Sequence, residues 1–210
     1  SNIPAALADA VERHQQKIGA ALAQESGKSL DDAVAETGYG VELMRYHAEW
    51  ARRVEGEVIE SDTPDETLML KRAPIGVVAC LIPFNFPIYT LVRKIAPALI
   101  TGNAVVVRPS NNTPTSAFVF AEAIKEADLP AGLVSIMAMS HEVAQVMSTR
   151  REVGMITLTG SVAASGLVAA IEPLCNSVGF YFHEKIWQRF EGRTAQASTQ
   201  PKHAWLHHQA

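Results

Sequence analysis

One segment in the middle of the chain constrains the fold most, because it reads as strand, turn, helix and strand in immediate succession. Ile75–Ile82 is an unbroken apolar and β-branched run, typical of a strand that is buried on both faces. The proline-bounded turn Pro83–Pro87 ends this strand, because a proline cannot donate to the ladder and suits the first turn of a helix. A helix is predicted over residues 88–100, and Ala104–Arg108 is the second strand. This unit predicts a parallel sheet with a right-handed crossover.

The same alternation continues after the second strand. We predict a helix, a strand, a short helix and a strand over residues 114–127, Leu133–Met139, His141–Ser148 and Gly154–Leu158. A βαβαβ order of this kind predicts an α/β fold with a doubly wound parallel sheet, as in Rossmann-like cofactor domains.

The first third of the chain predicts two helices and a two-stranded β-ribbon. Their expected bounds are residues 4–25, residues 29–54, and Glu57–Ser61 with Thr67–Arg72. Gly27 is interpreted as the C-cap of the first helix. The segments are then expected to be N-terminal helices over 1–56, a ribbon arm over 57–74, an α/β core over 75–171 and a divergent tail over 172–210.

Asn85 is the polar residue in the apolar turn after the first core strand. Open α/β sheets bind ligands at the carboxyl ends of their strands, so the Asn85 amide could donate a hydrogen bond to an oxyanion there. The alternative interpretation, favoured by the usual N-cap preference, is that Asn85 caps the following helix. The sequence leaves both interpretations open.

Several spaced motifs in one order resemble the aldehyde dehydrogenase superfamily. The chain has a Pro83-Phe-Asn-Phe-Pro87 turn, a Lys94-x-x-Pro-Ala-Leu99 helix with Gly102-Asn103, and an Arg108-Pro-Ser-Asn111 strand end. The resemblance covers roughly residues 4–171. The sequence of Ala48–Gly56 is most similar to that of bacterial lactaldehyde/glycolaldehyde-type members.

The resemblance implies a set of site residues around an NAD or NADP cofactor. Asn85 would be one half of an oxyanion hole for a small aldehyde substrate. The cofactor-binding positions would be Ile82, Pro83, Phe84, Arg108, Ser110, Asn111, Gly160 and Ser161. No metal site is expected.

Thr159-Gly160-Ser161 follows the fourth predicted strand and is the candidate phosphate-binding turn. A glycine there lets a ligand approach the backbone, and a helix N-terminus offers free N–H groups. An ordinary serine N-cap fits the residues equally well. The resemblance favours the first interpretation, since the family's corresponding turn meets the cofactor pyrophosphate.

Arg108 and Asn111 stand where the family binds the adenosine ribose with a lysine and often a glutamate. A glutamate would bind a ribose 2′-hydroxyl and repel a 2′-phosphate, whereas a basic residue beside a neutral one tolerates that phosphate. Acceptance of NADP is therefore a hypothesis. The alternative is that Arg108 is a solvated residue at a strand end.

By the resemblance, aldehyde oxidation needs a cysteine thiolate and a glutamate-activated water, both supplied beyond the Thr-Gly-Ser turn. Neither motif is found in this chain, and Cys80 and Cys175 are interpreted as inert core thiols. We therefore expect a truncated cofactor-side portion that is inactive alone, with a frameshift or truncation behind residues 172–210. The alternatives are a non-catalytic nucleotide-binding or partner-binding remnant and an inactive pseudogene product.

Composition narrows the partners and the setting. A net charge of −4 without a basic stripe argues against nucleic acid. Two cysteines give no disulfide framework, so a cytoplasmic location is expected, and no apolar run is long enough for a membrane span. The resemblance implies that the ribbon takes part in a homo-oligomer or associates with a full-length homologue.

Overall fold

The computed structural model describes residues 2–159, which contain six α-helices and six β-strands. The helices are α1 (Ile3–Arg13), α2 (Gln15–Ser26), α3 (Leu30–Ala48), α4 (Pro87–Ile100), α5 (Thr115–Glu126) and α6 (His141–Ser148). The strands are β1 (Glu57–Glu60), β2 (Thr67–Leu70), β3 (Val77–Leu81), β4 (Ala104–Arg108), β5 (Val134–Ile136) and β6 (Val153–Leu158). A 3₁₀ turn, Glu49–Arg52, follows α3.

The predicted parallel sheet is confirmed, and its strand order is β5-β4-β3-β6. β3 pairs in parallel with β4 from Val77 opposite Ala104 to Leu81 opposite Arg108. On its other edge β3 pairs in parallel with β6. β3 is thus a central strand, which explains why its sequence is apolar on both faces.

The core lies between this sheet and the helices that cover it. α4 carries the most apolar of the helix faces, with Ile88, Leu91 and Ile95 fully buried. Phe120 of α5 and Val105 of β4 join the same cluster. Full burial of side chains of this size contributes about 1.5–3 kcal/mol each, so the α4 face holds the layers together.

The prediction of one helix over residues 4–25 is wrong, because the chain breaks at His14. The His14 backbone is no longer helical, with φ −95° and ψ 2°, and its ring Nδ1 lies 3.1 Å from the Ala10 carbonyl oxygen. The ring therefore competes for a carbonyl that the helix ladder would use. The break lets α1 and α2 each pack against α3.

The predicted C-cap glycine and two-stranded ribbon are present, and the second helix is shorter than expected. Gly27 ends α2 in the left-handed region at φ +73°, as a C-cap glycine does. α3 stops at Ala48 rather than at residue 54, because the 3₁₀ turn takes over the chain. The ribbon forms with Glu57 opposite Leu70, and all eight of its strand residues are exposed.

Candidate active-site cleft

The strand order places a topological switch point between β3 and β6. From β3 the chain goes to β4 and β5 on one side, then returns to β6 on the other side. The crevice outside the carboxyl ends of two strands that diverge in this way is where doubly wound sheets bind ligands. The residues at this crevice are Ile82, which follows β3, and Thr159, which follows β6.

The turn after β3 presents three side chains outward. Ile82 is buried, and its backbone N–H donates to the Arg108 carbonyl oxygen at 3.0 Å, so the end of β3 stays attached to β4. Pro83 is half-buried, and Phe84, Asn85 and Phe86 are exposed before Pro87 opens α4. The sheet thus holds the start of the turn and leaves its tip open.

Asn85 does not cap α4, so that interpretation is wrong. Phe86 occupies the N-cap position and has no capping side chain. The Glu36 carboxylate of α3 caps α4 instead. Its Oε1 accepts from the backbone N–H groups of Ile88 at 3.0 Å and Tyr89 at 3.2 Å. A carboxylate at a helix N-terminus also interacts favourably with the helix dipole.

Glu36 is itself held in place by a cation. Its side chain is 2 % exposed, and its Oε2 pairs with the ammonium of Lys28. The same ammonium lies 4.0 Å from the centre of the Phe86 ring, a cation–π contact. Sequence reasoning missed this arrangement, and the only available signal was a glutamate at a buried position of a helix.

Because α4 is capped from elsewhere, the Asn85 amide is left free within the described part of the chain. Asn85 lines a cleft of about 680 Å³ between α3 and α4. The other lining residues include Tyr39, Tyr46, Phe86, Tyr89, Arg93 and Thr159. This placement suits a hydrogen-bond donor to a small molecule, and the oxyanion role of Asn85 stays a prediction.

Two adjacent basic residues of α4 face opposite environments. Arg93 is exposed in the cleft and forms no ion pair within residues 2–159. Lys94 is 7 % exposed, and its Nζ donates to Thr157 Oγ1 of β6 at 2.9 Å. Burial lowers the pKa of Lys94 to about 8, because removal from water penalises the ammonium.

Cys80 of β3 lies in the same buried region. The thiol has no exposed surface, and desolvation raises its pKa to about 12, with Lys94 acting weakly in the opposite direction. A thiol with such a pKa is protonated at neutral pH and is a poor nucleophile. This supports the expectation that Cys80 is a core residue.

Arg108 is not a solvated strand-end residue, so that alternative is wrong. It is 9 % exposed, and desolvation lowers its pKa from the ordinary value. Its Nη2 donates to Asn111 Oδ1 at 3.1 Å, and its buried Nε has no hydrogen-bond partner among the described residues. Ser110 stands between Arg108 and Asn111 in the sequence. Its hydroxyl accepts from the Asn112 N–H at 3.2 Å.

A second helix N-terminus at this edge is also occupied. Glu25 of α2 accepts from the backbone N–H groups of Thr115 at 2.6 Å and Ser116 at 3.0 Å, and from the Ser116 hydroxyl. Protein carboxylates therefore fill the starts of both α4 and α5. The predicted phosphate turn follows Thr159, and its Gly160 and Ser161 lie outside the described residues, as does Cys175.

Fold and site together define a doubly wound α/β domain of the dinucleotide-binding type. Comparison with known proteins identifies its family: the aldehyde dehydrogenase family matches residues 1–174. The chain belongs to the aldehyde dehydrogenase family.

Three relatives illustrate the match. The chain is 37 % identical over 161 residues to lactaldehyde dehydrogenase of Escherichia coli, covering 76 % of this chain and 34 % of that one. It is 37 % identical to mitochondrial succinate-semialdehyde dehydrogenase of Arabidopsis thaliana (79 % and 32 %). It is 35 % identical to D-glyceraldehyde dehydrogenase (NADP(+)) of Thermoplasma acidophilum (73 % and 31 %).

The structural comparison agrees. The crystal structure of the Escherichia coli lactaldehyde dehydrogenase superposes with a TM-score of 0.76 at 36 % identity, over 80 % of this chain and 35 % of that one. The chain thus spans about a third of the length of the relatives it matches.

Two features are absent from the described residues. No helix among them is long and apolar enough to cross a membrane. In the same part of the chain, no group of three or more histidine, cysteine or acidic side chains is arranged to hold a metal ion.

Proposed function

We propose that this chain binds NAD or NADP at the switch point between β3 and β6 and supplies the cofactor side of an aldehyde-oxidising enzyme. The observation that carries the proposal is the strand order β5-β4-β3-β6, because it opens a ligand crevice at Ile82 and Thr159. Family membership supports the cofactor class and the reaction, in which an aldehyde becomes a carboxylic acid.

The N-termini of α4 and α5 are already occupied by carboxylates, which favours the Thr159-Gly160-Ser161 turn as the pyrophosphate-binding position. Glu36 and Glu25 fill the starts of α4 and α5, so an anion would meet a carboxylate at either helix. The turn at Thr159-Gly160-Ser161 remains as the anion-binding turn next to β3. Pro83 and Phe84, which the resemblance also assigns to the cofactor, follow β3 at the same crevice.

Residues of this chain would bind the cofactor and polarise the aldehyde. None of them is proposed to form the covalent bond to the aldehyde carbon. The cofactor supplies the hydride acceptor when bound. Asn85 would donate to the oxygen of the aldehyde as negative charge develops there. In the family the thiolate and the glutamate come from sequence beyond the Thr-Gly-Ser turn, so the chain by itself is proposed to bind without turnover.

Calorimetric titration of the full chain with NAD and with NADP tests the proposal. Thr159→Tyr fills the crevice and should weaken binding by about tenfold or more, a loss of about 1.4 kcal/mol. Thr149→Tyr is the matched control, since Thr149 is an exposed threonine between α6 and β6, before the start of the strand that Thr159 follows. A folded chain that binds neither nucleotide, or a Thr159→Tyr chain that binds both normally, would overturn it.

The cleft supports an aldehyde with an anionic group as the substrate class. Arg93 presents a guanidinium without an ion-pair partner in the described residues, and it lines the same cleft as Asn85 together with several aromatic side chains. Guanidinium groups suit carboxylates because they donate two parallel hydrogen bonds. Two of the relatives are named for succinate semialdehyde, which carries such a carboxylate.

Binding of a stable analogue tests this substrate class. Succinate, titrated while the Asn85 side-chain amide and cleft resonances are followed by NMR, should shift them, and neutral succinamide should not. Arg93→Met should abolish the succinate shifts, whereas Arg150→Met, an exposed arginine outside the cleft, should keep them. Equal shifts from both compounds would contradict the anionic class.

The ribbon supports association with a second copy or with a longer homologue. Val58 and Met69 lie directly opposite each other and are 70 % and 68 % exposed. An exposed apolar ribbon with open edges suits strand addition by a partner. Sedimentation at increasing concentration should show assembly that Val58→Lys with Met69→Lys weakens; a monomer throughout, or an assembly insensitive to both changes, would contradict it.

A further inference from the structure

We propose that Lys28 and Glu36 are positioning residues for the turn between β3 and α4, and that through this turn they hold Asn85 ready to meet the aldehyde oxygen. The inference rests on the proposed function, since it concerns the same cleft. Two contacts carry it. The Glu36 carboxylate accepts from the first N–H groups of α4, and the Lys28 ammonium lies 4.0 Å from the centre of the Phe86 ring.

The tip of this turn makes few contacts of its own. Phe84 and Phe86 are 54 % and 52 % exposed, and Asn85 between them is exposed as well. Within residues 2–159, the backbone N–H groups of these three residues donate no hydrogen bond. An exposed segment of this kind opens easily unless its side chains are held. Order at Asn85 therefore has to come from the residues that contact the turn.

The start of α4 shows that a local cap does not fix the turn. Phe86 occupies the N-cap position, where Ser, Thr, Asp or Asn would accept from the helix N–H groups. Glu36 of α3 accepts from them instead, with Oε1 3.0 Å from the Ile88 nitrogen and 3.2 Å from the Tyr89 nitrogen. Because the cap is supplied from another helix, the Asn85 side chain can line the cleft while α4 stays anchored.

Lys28 connects this cap to the aromatic ring next to Asn85. Its ammonium pairs with Glu36 Oε2 and also lies over the Phe86 ring. A cation over an aromatic face is attracted by the ring quadrupole, and the attraction is stronger where water is partly excluded. The Lys28 side chain is 22 % exposed, so both of its contacts are partly shielded. The Phe86 ring therefore has a fixed partner although about half of its surface is exposed.

The short loop between α2 and α3 fixes the backbone of Lys28. Gly27 before it adopts the left-handed conformation that ends α2. Ser29 after it is the N-cap of α3, and its hydroxyl accepts a backbone N–H of that helix at 3.1 Å. Two helix ends thus define where the lysine side chain starts. Lys17, by contrast, projects from an exposed face of α2 and pairs there with Glu122.

Stability alone does not account for the Lys28–Glu36 pair. Taking two charges out of water costs about as much free energy as their attraction supplies, so a buried ion pair is a weak source of stability. Glu36 is only 2 % exposed, and its carboxylate bears this desolvation. What the pair supplies is a fixed geometry, because one carboxylate anchors α4 while its counter-ion holds the ring beside Asn85.

Backbone ¹⁵N relaxation of the free chain tests the positioning role directly. The order parameters of Phe84, Asn85 and Phe86 should be close to those of rigid backbone, about 0.85, and should fall below about 0.6 in Lys28→Met. Glu36→Gln still accepts from the helix N–H groups but loses the attraction to Lys28, so it should loosen the turn in the same way. Lys28→Arg keeps a cation that pairs with carboxylates and stacks on rings, so it should retain the order.

Titration with succinate, followed by NMR, connects this order to the proposed cleft. A turn that adopts the binding conformation about a tenth of the time raises the apparent Kd about tenfold, and Lys28→Met should show a loss of this size. The double variant Lys28→Met with Glu36→Gln should bind no more weakly than either single variant, because both remove one ion pair. Lys17→Met is the matched control. It removes the exposed ion pair to Glu122 and should change neither order nor affinity.

The outcomes separate positioning from general stability and from the proposed function. Unchanged order parameters at Asn85 in Lys28→Met would overturn the inference, even if succinate bound more weakly. A loss of order throughout the chain that Lys28→Arg shared would overturn it too, because that result describes a structural role only. An unmodified chain that binds no succinate would refute the proposed substrate class, and the order parameters would still decide the positioning role.

Discussion

Oε1 of Glu36 accepts a hydrogen bond from the backbone N–H of Ile88 at 3.0 Å, so a carboxylate from α3 closes the N-terminus of α4. This contact ties the first third of the chain to the turn that carries Asn85. It also explains why the turn itself needs no capping side chain.

Replacement of Glu36 by alanine should therefore destabilise the fold. The variant leaves the buried Ile88 N–H and the half-buried Tyr89 N–H without an acceptor and Lys28 without its partner, at a cost of about 3 kcal/mol. Glu36→Gln keeps an acceptor and should cost less. Urea unfolding measures both, and a loss below about 0.5 kcal/mol in Glu36→Ala would contradict the capping role.

Asn103 should be a second sensitive position. Its Oδ1 accepts from the N–H groups of Ile75 at 2.6 Å and Gly76 at 3.0 Å, and its Nδ2 donates to the Ala98 carbonyl at 3.2 Å. Asn103→Ala removes all of these bonds from a residue that is 4 % exposed and should cost about 3 kcal/mol.

Asn112→Ala serves as the control for Asn103 in the same urea experiment. Asn112 is exposed, so its truncation should change the free energy of unfolding by less than about 0.5 kcal/mol. Equal losses in the two variants would show that Asn103 does not join the start of β3 to the end of α4.

Lys94 should make stability depend on pH between 8 and 9. Its pKa is about 8 in the folded chain against 10.5 ordinarily, so above pH 8 the unfolded chain holds a proton that the folded chain has lost. Stability from this group then rises with pH, by about 1 kcal/mol per unit. Cys80 lowers stability as the pH rises between pH 9 and about 12, because its pKa is raised in the folded chain. The range from pH 8 to 9 is therefore the one that reports on Lys94.

The difference in unfolding free energy between the unmodified chain and Lys94→Met isolates this effect, because other groups cancel. It should be level near pH 6–7 and rise from pH 8 to 9. Lys125→Met, at an exposed position of α5, should show no rise. A level difference for Lys94→Met as well would mean that Lys94 keeps its ordinary pKa.

Cys80 should resist thiol reagents in the folded chain. Its thiol is fully buried and its pKa is about 12, so little thiolate is present or accessible at pH 8. In a Cys175→Ser background, a disulfide reagent should label Cys80 only after urea is added. Labelling of the folded chain at the rate of a free thiol would contradict its core position.

Much of the fold could be predicted because the βαβ pattern is local in the sequence. Strand β4 and helix α6 have the predicted bounds, and the ribbon begins where each strand was expected. The break at His14 was not predicted, because no proline or glycine marks it in the sequence. Apolar periodicity alone cannot distinguish one long helix from two shorter ones.

Some residues around the site could be predicted from sequence motifs, and others could not. Asn85, Arg108 and Asn111 stood out from their motifs, but Glu36, Arg93 and Lys94 were not assigned roles in the site. Lys94 and Glu36 are charged residues whose burial no sequence pattern reveals.

The sequence by itself determined the order of helices and strands, the family and the turn that carries Asn85, because these follow from local propensity and spaced motifs. Only the tertiary structure decided that Glu36 rather than Asn85 caps α4, and that Arg108 is buried with its donors directed by Asn111. The physical reason is that hydrogen-bond partners and desolvation are properties of residues brought together from distant parts of the chain. Whether a polar residue caps a helix, binds an anion or stays in water depends on those neighbours.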